Sequence, residues 1–284
     1  LLKWAGGKTR IVERIKAVLP EGKRLIEPFV GSGALFLNAE YPRYLLADAN
    51  KDLINCYLQL QSGGAEFVER CATYFTPANN NAEAYYGLRD RFNATLDPPE
   101  RAAIFVYLNR HGYNGLCRYN SSGGFNVPFG RYAKPYFPND EMLSFWRKSA
   151  RCIFQAADFL RTMDSAEPGD VVYCDPPYVP LSSTANFTSY SAHSFTLESQ
   201  RALAAKAAEV AQRGVPVIIS NHDTPFTRTI YADAHDLTCF EVQRHISCDG
   251  ANRAKAAELL AIFLVSTASQ PMPAEVTSPA EFSM

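Results

Sequence analysis

The strongest chemical feature of the sequence is a carboxylate at the end of an apolar run, followed by two prolines and an aromatic ring: Asp175-Pro176-Pro177-Tyr178. Ahead of it, Val171-Val172-Tyr173-Cys174 reads as a buried strand. Neither proline can donate to a ladder, so the strand stops abruptly and the turn is stiff. It fixes an acid and a ring at a strand's C-terminal end, where ligands bind in open α/β sheets. A bland role competes with this one, because an aspartate in such a turn also serves simply to cap a helix.

A second acid stands at the end of another strand. Leu25-Ile26-Glu27-Pro28-Phe29-Val30-Gly31-Ser32-Gly33 runs from a short strand into a glycine turn, and Ala34-Leu35-Phe36-Leu37 starts a helix. Phe36 stands where the dinucleotide fingerprint needs its third glycine, so that fingerprint is incomplete. The next strand, Tyr44-Leu45-Leu46-Ala47-Asp48, ends on an acid suited to a ribose diol. A nucleoside fits this arrangement better than a dinucleotide, and the competing role for Asp48 is a helix cap. At the start of the chain, Gly7-Lys8-Thr9 resembles the end of a P-loop, but that motif needs a glycine where Leu2 stands, which excludes it. Ile11, Val12, Ile15, Val18 and Leu19 have helical spacing. The opening is therefore a glycine-rich turn entering a helix, a place that favours an anion.

Between Glu100 and Asp140 the sequence has no acidic residue, yet it holds Arg101, Arg110, Arg118, Arg131 and Lys134 among tyrosines, phenylalanines and asparagines. Arginine binds phosphate or guanine, asparagine binds phosphate or adenine, and aromatics wedge between bases. Arg110, Asn114, Arg118, Asn126 and Arg131 are thus candidate nucleic-acid contacts. Gly123-Gly124 between two aromatic runs suggests a β-hairpin over about residues 112–133. Some of these aromatics, such as Phe105 and Phe129, are expected to pack inward.

The elements that position these groups follow from the pattern. β-α alternation stops from about Asn50 to Arg147, where Leu53–Leu60, Phe67–Phe75, Ala84–Phe92 and Ala102–Leu108 look helical. A largely helical insert over residues 51–147 is expected, between the two halves, 1–50 and 148–267, of a catalytic domain. After it, Cys152 to Asp158, Val215 to Asn221, Leu237 to His245 and Leu259 to Val265 read as strands, and Thr196 caps a helix to about Arg213. Pro180 to Ser194 reads as a mobile loop over the site, and residues 268–284 as a disordered tail.

Composition bounds the rest. The chain has 284 residues, 47% hydrophobic and 20% charged, with a net charge of −1, so any nucleic-acid contact rests on a local patch. Seven scattered cysteines without a C-x-x-C suit a reducing cytoplasm and suggest neither a disulfide framework nor a zinc site. No segment is apolar for long enough to span a membrane, and no metal ligand spacing involves His193, His222 or His245. No signal peptide is read, and because residue 1 is Leu the true start is left open.

Four segments together resemble the bacterial DNA adenine methyltransferases of the Dam type: Lys3-Trp4-Ala5-Gly6-Gly7-Lys8, Glu27 to Gly33, Asn109 to Asn120, and Asp175-Pro176-Pro177-Tyr178. They stand in the family's order of cofactor motif, recognition insert and catalytic motif, and the resemblance runs from Leu2 to about Val265. It implies an α/β, S-adenosylmethionine-dependent methyltransferase fold: a mostly parallel seven-stranded sheet, helices on both faces, and one antiparallel strand at the edge region. It implies S-adenosyl-L-methionine as donor and adenine N6 within 5′-GATC-3′ duplex DNA as acceptor, with the enzyme a cytoplasmic monomer that needs no metal. Trp4, Lys8, Phe29, Gly31, Gly33 and Asp48 fall on cofactor positions, and Asp158 and Asp175 are counted with them. Arg118 falls on the arginine that reads guanine, Leu116 and Pro128 lie near a thymine methyl, Tyr113 inserts into the stack, and Lys3 also contacts the site. Ser121-Ser122-Gly123-Gly124 departs from the family in carrying fewer charges at the tip.

The chemistry so implied begins with a flipped base. Asp175 and the Pro176 carbonyl would accept the two amino N–H bonds, freeing the nitrogen lone pair toward the sulfonium methyl, while Tyr178 stacks on the ring. Positive charge develops on nitrogen, and a fixed carboxylate stabilises it. Two rivals are weighed. A methyltransferase acting on RNA or on a protein glutamine shares the strand chemistry, although the glutamine enzymes usually carry Asn at the position of Asp175. A non-enzymatic DNA-binding module would need neither Gly31 and Gly33 nor an intact Asp175.

Overall fold

The central strands of one sheet are buried almost without interruption, and successive side chains point to opposite faces, which sets the layers. In the computed structural model, residues 1–4, 6–8, 11–179, 195–243 and 255–264 are described. Strands β1 (Arg24–Glu27), β2 (Arg43–Asp48), β3 (Cys152–Ala156), β4 (Asp170–Cys174), β5 (Val217–His222), β6 (Asp236–Gln243) and β7 (Lys255–Phe263) form a seven-stranded sheet in the order β3-β2-β1-β4-β5-β7-β6. β7 runs antiparallel to both neighbours, one place in from the edge, and the β1–β2, β1–β4, β2–β3 and β4–β5 pairs are parallel.

Leu25, Tyr44, Leu46, Val171, Tyr173 and Ile218 point to one face. There they meet α1 (Val12–Val18), α2 (Ala34–Asn38), α3 (Lys51–Ala72), α4 (Ala82–Ala94), α5 (Pro98–His111) and α6 (Asn139–Ser149) in one continuous core. Ile26, Leu45, Val172, Cys174, Val217 and Ile219 point to the other face, against α7 (Phe159–Asp164) and α8 (Leu197–Gln212), with Tyr231 after α9 (Pro225–Ile230). Each fully buried aliphatic side chain contributes roughly 1.5–3 kcal/mol, so both helical layers are held by the sheet they cover. The insert shares the first core: Tyr57 of α3 stacks on Phe145 of α6 at 4.6 Å, and Gln61 Nε2 donates to the backbone of Ser149 and Cys152.

The expected helical runs 53–60 and 67–75 are the two arms of α3, which ends at Ala72 and is kinked between them at the left-handed Gly64, φ +51°. A Cβ at Gly64 would lie 2.6 Å from the Trp146 ring, so glycine there both breaks the helix and admits the indole. The hairpin over 112–133 is not a two-stranded ladder: the described residues there make isolated antiparallel bridges, Gly112 with Phe129 and Tyr119 with Phe125. Some of its backbone groups pair across the turn, Tyr113 N–H with Pro128 O at 2.8 Å, Asn126 N–H with Arg118 O at 3.1 Å and Asn120 N–H with Gly124 O at 2.9 Å, and others go to the helices. Phe125 exchanges hydrogen bonds with the Asn93 side chain of α4, at 2.8 and 3.1 Å, and Tyr85 Oη donates to Val127 O at 3.0 Å. Phe125 and Val127 are buried, so the segment is pinned to the helices as well as bridged to itself.

The loop from Pro180 to Ser194, the stretch from Arg244 to Ala254 and the tail lie outside the described residues. No helix among the described residues is long and apolar enough to cross a membrane.

Candidate functional site

The C-terminal ends of β2, β1 and β4 lie side by side, and from β1 the chain order departs in both directions, toward β2-β3 and toward β4-β5. A crevice opens at such a switch point. Asp48, the glycine turn after β1 and Asp175 all border it.

On the β2 side, Asp48 Oδ2 accepts the Gly31 N–H at 3.1 Å and Oδ1 accepts the Asn50 N–H at 2.9 Å. Burial raises the Asp48 pKa and these two bonds oppose the shift. Asp48 does not cap α3; Asn50 does, its Oδ1 accepting from the Asp52 and Leu53 amides. Gly31 has φ +47°, and a Cβ there would stand 2.9 Å from the Trp4 ring. Only glycine lets the indole lie on the turn, and Tyr57 Oη holds the turn from beneath by donating to Gly31 O at 2.5 Å. Gly33, φ +72°, opens α2. Phe29, Phe159 and Phe195 form an aromatic triad, with ring centres 5.4–5.5 Å apart. Asp158 is exposed and caps α7, its Oδ1 accepting the Leu160 N–H at 2.8 Å.

On the β4 side, Lys8 Nζ lies 2.8 Å from Asp175 Oδ1 and 4.0 Å from the centre of the Tyr178 ring, and it donates to Gly6 O at 2.7 Å. Ser220 in the C-terminal half of β5 donates to Asp175 Oδ1 at 3.2 Å. Burial pushes the Asp175 carboxyl up to about 6, against Lys8 and Ser220, which favour the charged form; nearby Glu258 adds to the rise. Tyr178 Oη donates to Glu258 Oε2 at 3.2 Å, and its ring meets His222 edge to face at 4.6 Å. The turn is braced behind: Gln200 Nε2 donates to Pro177 O at 2.7 Å, and His222 Nδ1 lies 2.7 Å from Val179 O. Glu27, at the end of β1, is fully enclosed; its Oε1 has no hydrogen-bond partner, and burial with the nearby Asp175 charge pushes its carboxyl up to about 8.

The insert presents a third group. Arg118 donates from Nε to Asn126 Oδ1 at 2.7 Å and from Nη2 to Asn126 O at 3.0 Å. The acid-free stretch is therefore not a set of unpartnered cations. Arg101 forms an ion pair with Asp52 of α3, 2.5 Å from Nε to Oδ1. Arg110 donates to Leu1 O, and its guanidinium lies 5.4 Å from the Tyr136 ring centre. Tyr113, Asn114, Pro128 and Arg131 are exposed, while Leu116 is half-buried against the first core. Asn114 and Arg131 both have positive φ, 53° and 54°. Lys3 exchanges backbone hydrogen bonds with the Asn109 side chain, at 2.8 Å each, and sets its ammonium 3.9 Å from the Tyr132 ring centre.

The expected cofactor residues Trp4, Gly31, Gly33 and Asp48 thus gather at the β1–β2 ends, Lys8 joins Asp175 and Tyr178 at β4, and the expected nucleic-acid residues gather on the insert. Sequence reasoning gave no role to Ser220, Glu258, Asn50 or Phe159. Ser220 had a signal, since it lies in the C-terminal half of the strand beside β4. Glu258 had none, because it arrives on the antiparallel strand from far along the chain. Among the described residues, no group of His, Cys, Asp and Glu could hold a metal ion.

Residues 4–246 match the family model described as D12 class N6 adenine-specific DNA methyltransferase. The chain is 51% identical over 262 residues to the DNA adenine methylase of Escherichia coli strain K12, covering 92% of this chain and 94% of that one. It is 50% identical over 270 residues to the DNA adenine methylase of Vibrio cholerae, covering 95% and 97%. To the DNA adenine methylase of Serratia marcescens it is 50% identical over 263 residues, covering 92% and 97%.

Proposed function

From the premise that the chain belongs to the D12 class of N6 adenine-specific DNA methyltransferases and methylates adenine N6 in DNA, we propose that the donor is S-adenosylmethionine, that the acceptor is the adenine of 5′-GATC-3′ in duplex DNA, and that transfer is direct, onto a flipped-out base, in the cytoplasm. One observation carries the reading of the site. A nitrogen bearing N–H donors, Lys8 Nζ, stands 2.8 Å from the Asp175 carboxylate and 4.0 Å from the Tyr178 ring centre. Lys8 Nζ marks a position from which an N–H donor reaches the Asp175 carboxylate while lying over the Tyr178 face, the two contacts proposed for the adenine amino group.

The residues at the β1–β2 ends suit the donor. Asp48 offers a buried carboxylate to a ribose diol, the side-chain-free turn at Gly31 allows close approach, and Trp4 and the Phe29 triad supply apolar walls. When bound, S-adenosylmethionine supplies a methyl group on a sulfonium, already electrophilic.

The chain's own groups do the rest. An adenine amino group is a weak nucleophile because its lone pair is delocalised into the ring, and inside a duplex it is out of reach, so the base leaves the stack. Tyr178 stacks on the flipped ring, its hydroxyl tethered to Glu258. The Asp175 carboxylate and the Pro176 carbonyl accept the amino N–H bonds, which draws the nitrogen toward tetrahedral geometry. Asp175 must be ionised to do so, and its negative charge stabilises the positive charge that develops. The methylated nitrogen then sheds one of its N–H protons, to the Asp175 carboxylate or to water. On the insert, Arg118 reads guanine, Leu116 and Pro128 meet a thymine methyl, Tyr113 enters the stack, and Lys3, Arg110, Asn114, Asn126 and Arg131 complete the DNA contacts.

The test is transfer of a labelled methyl group from S-adenosylmethionine to a GATC duplex and to duplexes altered at one base pair each. Incorporation at the GATC adenine, with a loss at every altered position, is expected. Equal incorporation across the panel would reject the site specificity, and incorporation into RNA or protein alone would reject the substrate.

A further inference from the structure

Asn50 lies at a joint between the Asp48 pocket and the recognition segment. Its backbone N–H donates to Asp48 Oδ1 at 2.9 Å. Its Oδ1 is occupied by two amides of the first turn of α3, at 3.0 Å each. That fixes the orientation of the side chain, because an amide has its acceptor at one end and its donors at the other. Nδ2 must then point away from the helix, and it donates to Cys117 Sγ at 3.2 Å. Cys117 sits between Leu116 and Arg118 in the chain, the two residues given to base reading.

The contacts continue in one direction. Cys117 Sγ donates to Tyr119 Oη at 3.8 Å, and Tyr119 Oη donates to Asp52 Oδ2 at 2.7 Å. Arg101 grips the same Asp52 carboxylate from the other side, and the Asp52 amide returns to Asn50 Oδ1. Asn50, Cys117, Tyr119 and Asp52 therefore close a ring of hydrogen bonds in which the thiol, the phenol and the amide each commit a donor the same way round. Bonds in such a ring polarise one another, and losing one weakens the rest. Burial pushes the Cys117 thiol up to about 12, so it stays neutral and keeps its donor.

On one side the ring touches Asp48, whose other oxygen holds Gly31 N–H; on the other it holds the side chains of the residues on either side of Arg118. We propose that this ring couples the two sites: Cys117 and Asn50 are positioning residues through which engagement of the recognition segment by its DNA sequence tightens the donor pocket, and donor binding in turn favours the reading conformation. Coupling between sites is reciprocal, so it is measurable from the donor side alone. The inference rests on the reading of Asp48 as a donor contact and of Arg118 as a base contact.

The experiment measures the dissociation constant of S-adenosylhomocysteine, which cannot be turned over, for the full chain without DNA, with a GATC duplex, and with a duplex altered at the guanine. The ratio of the constants without and with duplex is the coupling factor. In the wild type the GATC duplex is expected to tighten binding about fivefold or more, the lower end of the usual range, and the altered duplex to do much less. Cys117→Ala should bring the factor close to one while changing affinity without DNA by less than about twofold; Cys117→Ser, which keeps a donor and an acceptor, should restore it. Tyr119→Phe keeps the aromatic ring but removes the hydroxyl, and should act as Cys117→Ala does. A merely structural role for these side chains would lower the melting temperature without moving the ratio. A factor of one in the wild type, or the wild-type factor in both Cys117→Ala and Tyr119→Phe, overturns the coupling. Failure of the proposed function is distinct: S-adenosylhomocysteine would not bind even without DNA, or the wild type would not methylate the GATC duplex.

Discussion

Lys8 Nζ lies 2.8 Å from Asp175 Oδ1 while sharing the face of Tyr178, 4.0 Å from its ring centre, so one cation from the first turn contacts both ends of the Asp-Pro-Pro-Tyr tetrapeptide. The tetrapeptide itself is stiff, but its charge state depends on a residue far away in sequence. Burial alone would favour a neutral Asp175, and the ammonium works against it. The proposed transfer needs the carboxylate.

The most direct expectation concerns that group. Asp175→Ala should abolish methyl transfer and leave DNA binding largely intact, since the proposed DNA contacts lie mainly on the insert. The measurement pairs single-turnover transfer with duplex affinity. Transfer at a tenth of the wild-type rate would remove Asp175 from the mechanism.

The same carboxyl sets a pH dependence. Its pKa lies near 6, above the usual aspartate value, so the ionised fraction, and with it the single-turnover rate, should fall as pH drops through about 6. The charged and polar groups around it include Lys8, Ser220, Glu27 and Glu258; because Lys8 favours ionisation, Lys8→Met should move the acid limb to higher pH as well as weaken the reaction. A profile flat from pH 5 to 8 in the wild type, or a limb unmoved in the variant, would contradict the assignment.

Glu27 makes a stability prediction. Its carboxyl titrates at about 8 in the folded chain, against 4.5 for the ordinary group. Between those values the native state holds a proton that the unfolded chain has lost, so stability declines as pH rises through the window and is not regained above it. Glu27→Gln imitates the protonated acid and should flatten that decline, leaving the variant relatively more stable at pH 8 than at pH 5. Melting temperatures of both proteins across the window test this; parallel curves would mean that Glu27 is ionised in the fold.

Much of this was legible in the chain, for identifiable reasons. β1, β2 and β4 are apolar runs ended by glycine, acid or proline, so their positions and their functional ends could be read together. The proposed recognition segment was legible in composition and in its turn, which Gly123-Gly124 gave, yet nothing local said that Asn93 and Tyr85 would take some of the backbone groups that a full ladder uses. The missing acids misled in the same way. Arg101 finds its partner in Asp52, outside the stretch, and only the packing of α5 on α3 brings the two together. α3 itself looked like two helices because Gly63-Gly64 interrupts the apolar pattern, and the break is real at Gly64 even though the element continues.

Asp48 separates a donor contact from a purely architectural one. Its two oxygens already hold Gly31 and Asn50, so Asp48→Ala removes a charge and loosens the glycine turn at once. A loss of roughly 1–3 kcal/mol in S-adenosylmethionine binding is expected, the usual cost of a charge-assisted hydrogen bond. Calorimetric titration gives the number. Unchanged affinity with a lowered melting temperature would make Asp48 a brace for the turn and nothing more.

Arg118 carries the claim about sequence. The structure sets it between the half-buried Leu116 and the exposed Pro128 on one segment, with its guanidinium held by Asn126 through Nε and Nη2. A guanidinium presents its five N–H donors in a rigid planar fork, so two bonds to Asn126 set the plane of the whole group. Orientation is what bidentate recognition of guanine needs, and binding to phosphate needs it less. If Arg118 binds a phosphate, Arg118→Ala would weaken all duplexes alike and lower the salt slope by roughly one unit. If it binds guanine, the same substitution would cost about 1–3 kcal/mol of discrimination at one base pair. The expected outcome is the second: at fixed salt, Arg118→Ala narrows the difference in methylation rate between GATC and the duplex altered at guanine, and affects the other altered duplexes much less. Asn126→Ala should produce a weaker version of the same pattern, because it leaves the guanidinium in place but lets it turn. Uniform losses across the panel for both variants would make Arg118 a backbone anchor, and the reader of guanine would have to be sought elsewhere on the insert.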